Sequence, residues 1–140
     1  MKKTIVILGL LFLLGACGES KTESSPATAA TTERATLTLS DGSTLSYEGK
    51  LLYSVDRNGE KGNSRLNKIT VKSGAKKAEN SLYAQLSELG YTRAVMDSDG
   101  DTFKVHYYKK DQPTIGSVYQ EIAQGQNELT TNASIYWEIK

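Results

Sequence analysis

The chain has 140 residues, of which 38% are hydrophobic, 8% aromatic and 24% charged. This length is enough for one compact domain and too short for two. Seventeen Lys and Arg against sixteen Asp and Glu give a formal net charge of +1, and a nucleic-acid-binding protein is normally far more basic. Nucleic acid is therefore not an expected partner.

The first residues have the plan of an exported signal peptide. Lys2 and Lys3 precede an apolar run from Ile5 to Leu14, and small residues follow before Cys17. A basic start, a short apolar segment and a small-residue boundary are typical of such leaders. The apolar run is about half of the ~20 residues that a membrane-spanning helix needs. We predict a signal peptide over residues 1–16 that is removed from the mature protein.

The end of this leader, Leu14-Gly15-Ala16-Cys17, resembles the lipobox of bacterial lipoproteins. The resemblance implies cleavage before Cys17, a lipid on its thiol and a membrane contact through the acyl chains. It also implies the outer membrane, facing the periplasm, if the cell is Gram-negative, because Gly18 stands where an Asp often signals inner-membrane retention. The alternative is an ordinary secretory signal with an unrelated cysteine. Cys17 is the only cysteine, so in either case no intramolecular disulfide is expected.

A polar segment separates the leader from the folded part. Residues 18–35 contain no Leu, Ile, Val or aromatic side chain, so little apolar burial is available to offset the entropy of ordering them. We predict a lipidated cysteine and flexible tether over residues 17–35, with an r.m.s. reach of roughly 25 Å. One folded domain is expected over residues 36–140.

The domain begins with strand patterns. Alternating apolar residues on either side of Asp41-Gly42 predict a β-hairpin. Leu51, Tyr53 and Val55 are expected on one face of another strand, residues 56–64 form a polar loop, and Ile69 and Val71 mark the next strand.

Two stretches have a helical period. Apolar residues spaced three and four apart predict a helix between Ser73, its expected cap, and Gly90, its end. Strands are expected over 91–96 and 102–109, a second helix over Thr114–Gln124, and a last strand ending at Ile139. Residues 66–140 then follow the order β-α-β-β-α-β. We therefore predict an α+β, ferredoxin-like domain, with two helices on one face of a small antiparallel sheet, preceded by the hairpin.

Strand alternation also predicts which side chains face the helices. The helix-facing set is Ile69, Val71, Val95, Phe103, Val105, Tyr107, Ile135, Trp137 and Ile139. The opposite face would present Met96, His106, Tyr108 and Tyr136, and one face of an antiparallel sheet can remain exposed to water. Tyrosine is common at surfaces that are part apolar and part wet, so these four residues are the predicted partner contacts. Alternatively, residues 36–55 cover this face.

Catalytic and metal-binding patterns are weak. Asp97, Asp99 and Asp101 form an acidic cluster, but Gly100 is fourth and Tyr108 twelfth from Asp97, which does not match a calcium loop. His106 is the only histidine, and no Gly-x-Ser-x-Gly motif provides a nucleophile for it. We predict no metal, cofactor or catalytic residue.

These observations favour a non-enzymatic, lipid-anchored binding module whose partner is an envelope protein or another envelope component. Three alternatives remain open. One is an inhibitor or exclusion factor that acts on a lysozyme-like or phage protein. Another is a small hydrolase that uses His106 with nearby Asp residues. The third is a structural surface lipoprotein with no specific ligand.

Overall fold

The computed structural model describes residues 33–100, 102–125 and 128–140. The predicted signal peptide, Cys17 and nearly all of the tether lie outside these residues, as does Asp101. In the described part there are eight strands and one helix: β1 (Arg34–Thr38), β2 (Thr44–Glu48), β3 (Lys50–Gly59), β4 (Gly62–Val71), α1 (Ala75–Glu88), β5 (Thr92–Asp97), β6 (Thr102–Tyr108), β7 (Ile115–Gln124) and β8 (Glu128–Ile139). No helix within these ranges has the length and apolar character to cross a membrane.

The strands form two sheets. β1 and β2 pair with each other as the predicted hairpin around Asp41-Gly42. The other six strands form one antiparallel sheet in the order β3-β4-β8-β7-β6-β5. After β4, helix α1 passes over one face of the sheet and leads to β5 at the far edge. Strands β5 to β8 then pair with each other in sequence order, and β8 pairs with β4.

The core lies between one face of the large sheet and a layer made of α1 and the β1–β2 hairpin. Tyr47 of β2 is buried and donates a hydrogen bond from its hydroxyl to the carbonyl of Ala78 in α1, at 2.8 Å. Ser46 and Gln85 join the same two elements through bonds of 2.8 Å in both directions. The sheet contributes the buried apolar residues Ile69, Val71, Val105, Tyr107, Ile115, Tyr119, Ala133, Ile135 and Trp137. A complete core therefore forms on one side of the sheet.

Both ends of α1 are closed by backbone-directed hydrogen bonds. The N-cap is Gly74 and not the predicted Ser73, and a glycine cannot provide a side-chain cap. The Glu121 carboxylate on β7 instead accepts the Ala75 N–H at 2.8 Å, where a negative charge also suits the helix dipole. At the other end, Gly90 has φ +87°, and bonds from Gly90 N–H to Ser87 and from Tyr91 N–H to Leu86 form a Schellman motif.

A buried polar network links α1 to the sheet. Glu79 is 1% exposed, and one carboxylate oxygen accepts a bond from Arg93 at 2.8 Å while the other accepts the Tyr107 hydroxyl at 3.1 Å. The Tyr107 oxygen in turn lies 3.4 Å from that of Tyr119. Burial raises the pKa of Tyr119 to about 12. The tyrosines in this network therefore stay protonated and act as fixed hydrogen-bond donors.

The ferredoxin-like α+β prediction is wrong, because the domain is mostly β with one helix. The predicted second helix, Thr114–Gln124, is strand β7. Ile115 and Tyr119 point to the core while Val118 and Ile122 point to the other face. A central strand that is apolar on both faces gives the same three-and-four spacing as a helix, and Gly116 and Ser117 weaken the helical alternative.

The predicted polar loop over residues 56–64 is also wrong. Strand β3 continues to Gly59 and strand β4 begins at Gly62, so only Glu60 and Lys61 form the turn between them. This pairing also means that β4 has β3 on one side and β8 on the other. A register shift between Leu51 and Tyr53 places Leu51 opposite Ile69, on the core face, while Tyr53 lies on the opposite face with Val55. The three residues therefore do not share one face as predicted.

Candidate functional site

The sheet face opposite α1 and the β1–β2 hairpin is the candidate site, and we call it the open face. Within the described residues, no helix or strand lies over it. Its central row crosses all six strands through directly paired residues: Val55, Leu66, Tyr136, Gly116, His106 and Ala94. A second row contains Tyr53, Lys68, Ser134, Val118, Lys104 and Asp97. The open face is thus aromatic and aliphatic at its centre, with lysines beside it.

His106 lies between two tyrosine hydroxyls on this face. Its Nδ1 is 3.3 Å from the Tyr108 hydroxyl, and its Nε2 is 3.3 Å from the Tyr136 hydroxyl. Both rings meet the imidazole edge-on, with interplanar angles of 73° and 89°. A neutral imidazole donates from one nitrogen and accepts at the other. One tyrosine hydroxyl therefore accepts a hydrogen bond from His106 and the other donates one to it.

Tyr136 lies close to the sheet because the residue opposite it, Gly116, has no side chain. A Cβ atom at Gly116 would lie 2.2 Å from Cζ of Tyr136 and 2.5 Å from its hydroxyl oxygen. The ring therefore lies over Gly116 and reaches across β7 to His106 on β6. A glycine is required on the central strand because any side chain there would displace the ring.

The electrostatics of the cluster favour neutral side chains. Burial, together with the positive charge of Lys104, lowers the pKa of His106 below its usual 6.5. Burial and the neighbouring Tyr108 raise the pKa of Tyr136. At neutral pH the imidazole of His106 and the hydroxyl of Tyr136 are therefore both uncharged. Lys68 donates to the Ser134 hydroxyl at 3.0 Å and provides a cation beside the cluster.

The structure brings together three of the four predicted contact residues. His106, Tyr108 and Tyr136 form the cluster, whereas Met96 lies at the bulge of the edge strand β5 and is 52% exposed. Cys17, the predicted lipidation site, lies outside the described residues. The alternative that residues 36–55 cover this face is wrong. Residues 36–48 lie with α1 on the core side, and residues 50–55 belong to the edge strand β3 of the sheet itself.

The acidic segment takes the form of a turn in its described part. Asp97 accepts the backbone N–H of Asp99 through its Oδ1 at 3.2 Å, and Asp97 pairs in register with Lys104. Among the described residues, no group of three His, Cys, Asp or Glu side chains could hold a metal ion. Asp101 is not part of that description.

The sequence analysis missed most members of the central and second rows, among them Gly116, Leu66, Tyr53 and Val55. Gly116 lies in the segment predicted to be a helix, so its position opposite Tyr136 was not predicted. Only the correct strand register shows that the two residues are paired. Tyr53 and Val55 follow from strand alternation once the bulge before Tyr53 is known. A bulge leaves no clear mark in a single sequence.

A comparison of the chain with protein-family models, curated proteins and solved structures found no match. Its function therefore has to be inferred from the chemistry of its own residues.

Proposed function

We propose that the chain is a lipid-anchored lipoprotein of the bacterial envelope whose folded domain binds another envelope protein through the open face. The basic leader, the Leu14-Gly15-Ala16-Cys17 segment and the polar tether support the anchor. In a Gram-negative cell the anchor places the domain at the outer membrane, facing the periplasm. A tether with a reach of roughly 25 Å lets the domain contact a partner beyond the lipid headgroups.

The observation that carries the binding proposal is the His106–Tyr108–Tyr136 cluster on a sheet face that the core does not use. Tyrosine is enriched at protein interfaces because its ring buries apolar area while its hydroxyl keeps a hydrogen bond. Tyr108 is 42% exposed, and Tyr53 on the same face is 48% exposed. These rings have area left to bury against a partner.

The geometry favours contact over hydrolysis. A Ser-His-Asp arrangement needs an imidazole that is held by a carboxylate on one nitrogen and accepts a nucleophile's proton on the other. In the described structure both nitrogens of His106 meet tyrosine hydroxyls. Asp97, which pairs in register with Lys104, accepts the backbone N–H of Asp99 through its Oδ1. Its carboxylate therefore does not orient the histidine.

The anchor is tested with Cys17→Ser in the full-length chain. Cells grown with labelled palmitate should incorporate the label into the unsubstituted protein, and the protein should sediment with membranes. Cys17→Ser should lose both properties. Label that persists in Cys17→Ser would show that Cys17 does not carry the lipid.

The open face is tested by photocrosslinking in the native host with the full-length chain. A photoreactive phenylalanine analogue at Tyr108 samples the open face, and the same analogue at Ser81, an exposed position on α1, is the matched control. We expect one discrete adduct from position 108, which is lost when Tyr136→Ala is added, and none from position 81. The same adduct from both positions, or no adduct from either, would contradict the proposal. The identity of the adduct separates an assembly partner from a lysozyme-like or phage target.

A further inference from the structure

Strand β3 is an unusually exposed sheet edge. All ten of its residues, Lys50–Gly59, are exposed, and its outer edge has no partner strand among the described residues. Leu52, Tyr53 and Val55 are large apolar side chains with exposed fractions of 48%, 48% and 40%. Unpaired N–H and C=O groups on such an edge are ready to pair with another strand.

The regular part of β3 is longer than that of the other edge strand. β5 has six residues, and a bulge between Val95 and Asp97 interrupts its pairing near the end. The bulge in β3 lies between Leu51 and Tyr53, so the segment from Tyr53 to Gly59 keeps an uninterrupted register with β4. Natural sheets protect their edges with short or bulged strands, among other devices, and β3 is bulged only near its start.

We propose that β3 pairs in antiparallel orientation with β3 of a second copy of the chain, with Val55 opposite Val55 at a two-fold axis. A two-fold axis normal to the sheet requires each residue to oppose a residue from the same face. In this register Tyr53 opposes Arg57 and Val55 opposes itself, all on the open-face side. On the other side Ser54 opposes Asp56.

Charge and shape select this register over its neighbours. Centring the pairing on Asp56 would place two carboxylates directly opposite each other, which is unfavourable. Centring it on Ser54 would extend the pairing into the bulge before Tyr53. The Val55 register instead faces each Arg57 guanidinium with a tyrosine ring, an arrangement that allows a cation–π contact. Asp56 already has a cation, because Arg65 of the same chain binds both its oxygens at 2.7 and 2.9 Å.

The proposed contact is small. Five paired residues bury much less than the ~800 Å² per partner of a standard interface, so the dimer is weak and reversible. Confinement to a membrane raises the effective concentration of the copies. The pairing rests on the edge of β3 and does not depend on a partner at the His106 cluster.

Disulfide trapping of the full-length chain in cells tests the pairing. Directly opposed Cβ atoms are about 4.5–5.5 Å apart, close to the range that a disulfide bridges. Val55→Cys should therefore give a dimer on a non-reducing gel after mild oxidation. Val95→Cys, which is 53% exposed on the opposite edge, is the matched control, and the unsubstituted chain reports any dimer formed through Cys17.

The expected yield of dimer from Val55→Cys is at least five times that from Val95→Cys. Adding Arg57→Glu, which replaces the cation facing Tyr53 with an acid, should reduce this yield at least threefold. Equal yields from the two edges, no dimer from Val55→Cys, or a disulfide from Val55→Cys to a different protein would each overturn the proposal. An unchanged yield with Arg57→Glu would overturn the register.

Discussion

The contact between Gly116 and Tyr136 gives the sharpest quantitative prediction for the open face. An alanine at position 116 would place its Cβ 2.2 Å from the Tyr136 ring, so the ring must swing away from the sheet. Re-exposing roughly 60 Å² of ring at about 25 cal/mol per Å² costs about 1.5 kcal/mol. Losing the hydrogen bond to His106 costs about 1 kcal/mol more.

One effect opposes this loss. Gly116 does not need a positive φ, because it lies in extended strand with ordinary backbone geometry. Alanine in such a position is more favourable than glycine by roughly 0.5–1 kcal/mol. We therefore expect Gly116→Ala to lower the free energy of unfolding by about 2 kcal/mol.

A double-variant cycle isolates the contact. In the background of Tyr136→Ala nothing occupies the space, so Gly116→Ala should stabilise the domain by roughly 0.5–1 kcal/mol. The sign of the effect is thus reversed, and the coupling energy is about 2.5 kcal/mol, within the range for residues in contact. Urea denaturation of residues 31–140, the compact unit that contains the core cluster of the described residues, measures both effects through the fluorescence of Trp137, which is the only tryptophan and is 3% exposed. Equal effects of Gly116→Ala in the two backgrounds would refute the packing of Tyr136 over Gly116.

Three further predictions concern the core side and the titration of the cluster. Glu121→Ala removes the acceptor of the first helical N–H and should lower the free energy of unfolding by about 1 kcal/mol. Glu121→Gln keeps an acceptor oxygen and should lower it by less. Equal losses for the two variants in urea denaturation would contradict the capping role. Tyr107→Phe removes a buried hydroxyl that donates to the Glu79 carboxylate and should cost about 2 kcal/mol, whereas a cost below about 0.5 kcal/mol would contradict the network. NMR titration should give a pKa for His106 below 6.5 that rises in Lys104→Gln, because both burial and that lysine lower it. Since the folded-state pKa is the lower one, the contribution of His106 to stability is present above pH 6.5 and is lost as the pH falls through the folded pKa. The same dependence of stability on pH in the unsubstituted protein and in His106→Ala would contradict the assignment.

The faces of β4, β6 and β8 were predictable from the sequence, while those of β3 and β7 and the number of strands were not. Period-two alternation placed Ile69, Val105 and Ile135 on the covered side of the sheet, where they are fully buried, and placed His106 and Tyr136 on the other side. This parity is independent of which strands pair. Val95, also expected under the helices, is 53% exposed because β5 is a bulged edge strand.

Errors arose where a pattern has two physical origins. The three-and-four spacing in β7 fits a helix and also a central strand that is apolar on both faces. The polar residues of the β3–β4 hairpin look like a loop because neither face of that extension is buried, so no alternation is required there. The Tyr136–Gly116 contact depends on cross-strand register, which a single chain does not display before its strand order is known.

The two proposals concern one continuous surface but predict separable effects. Val55 belongs both to the central row of the open face and to the edge of β3, so pairing two copies at Val55 would join their open faces side by side. Substituting Tyr108, four strands away from that edge, should remove the partner adduct and leave the dimer unchanged. Val55→Lys places two like charges at the two-fold axis and should remove the dimer while leaving the His106 cluster intact. If both variants instead lose both properties, the dimer itself forms the binding surface, and the partner recognises two open faces together.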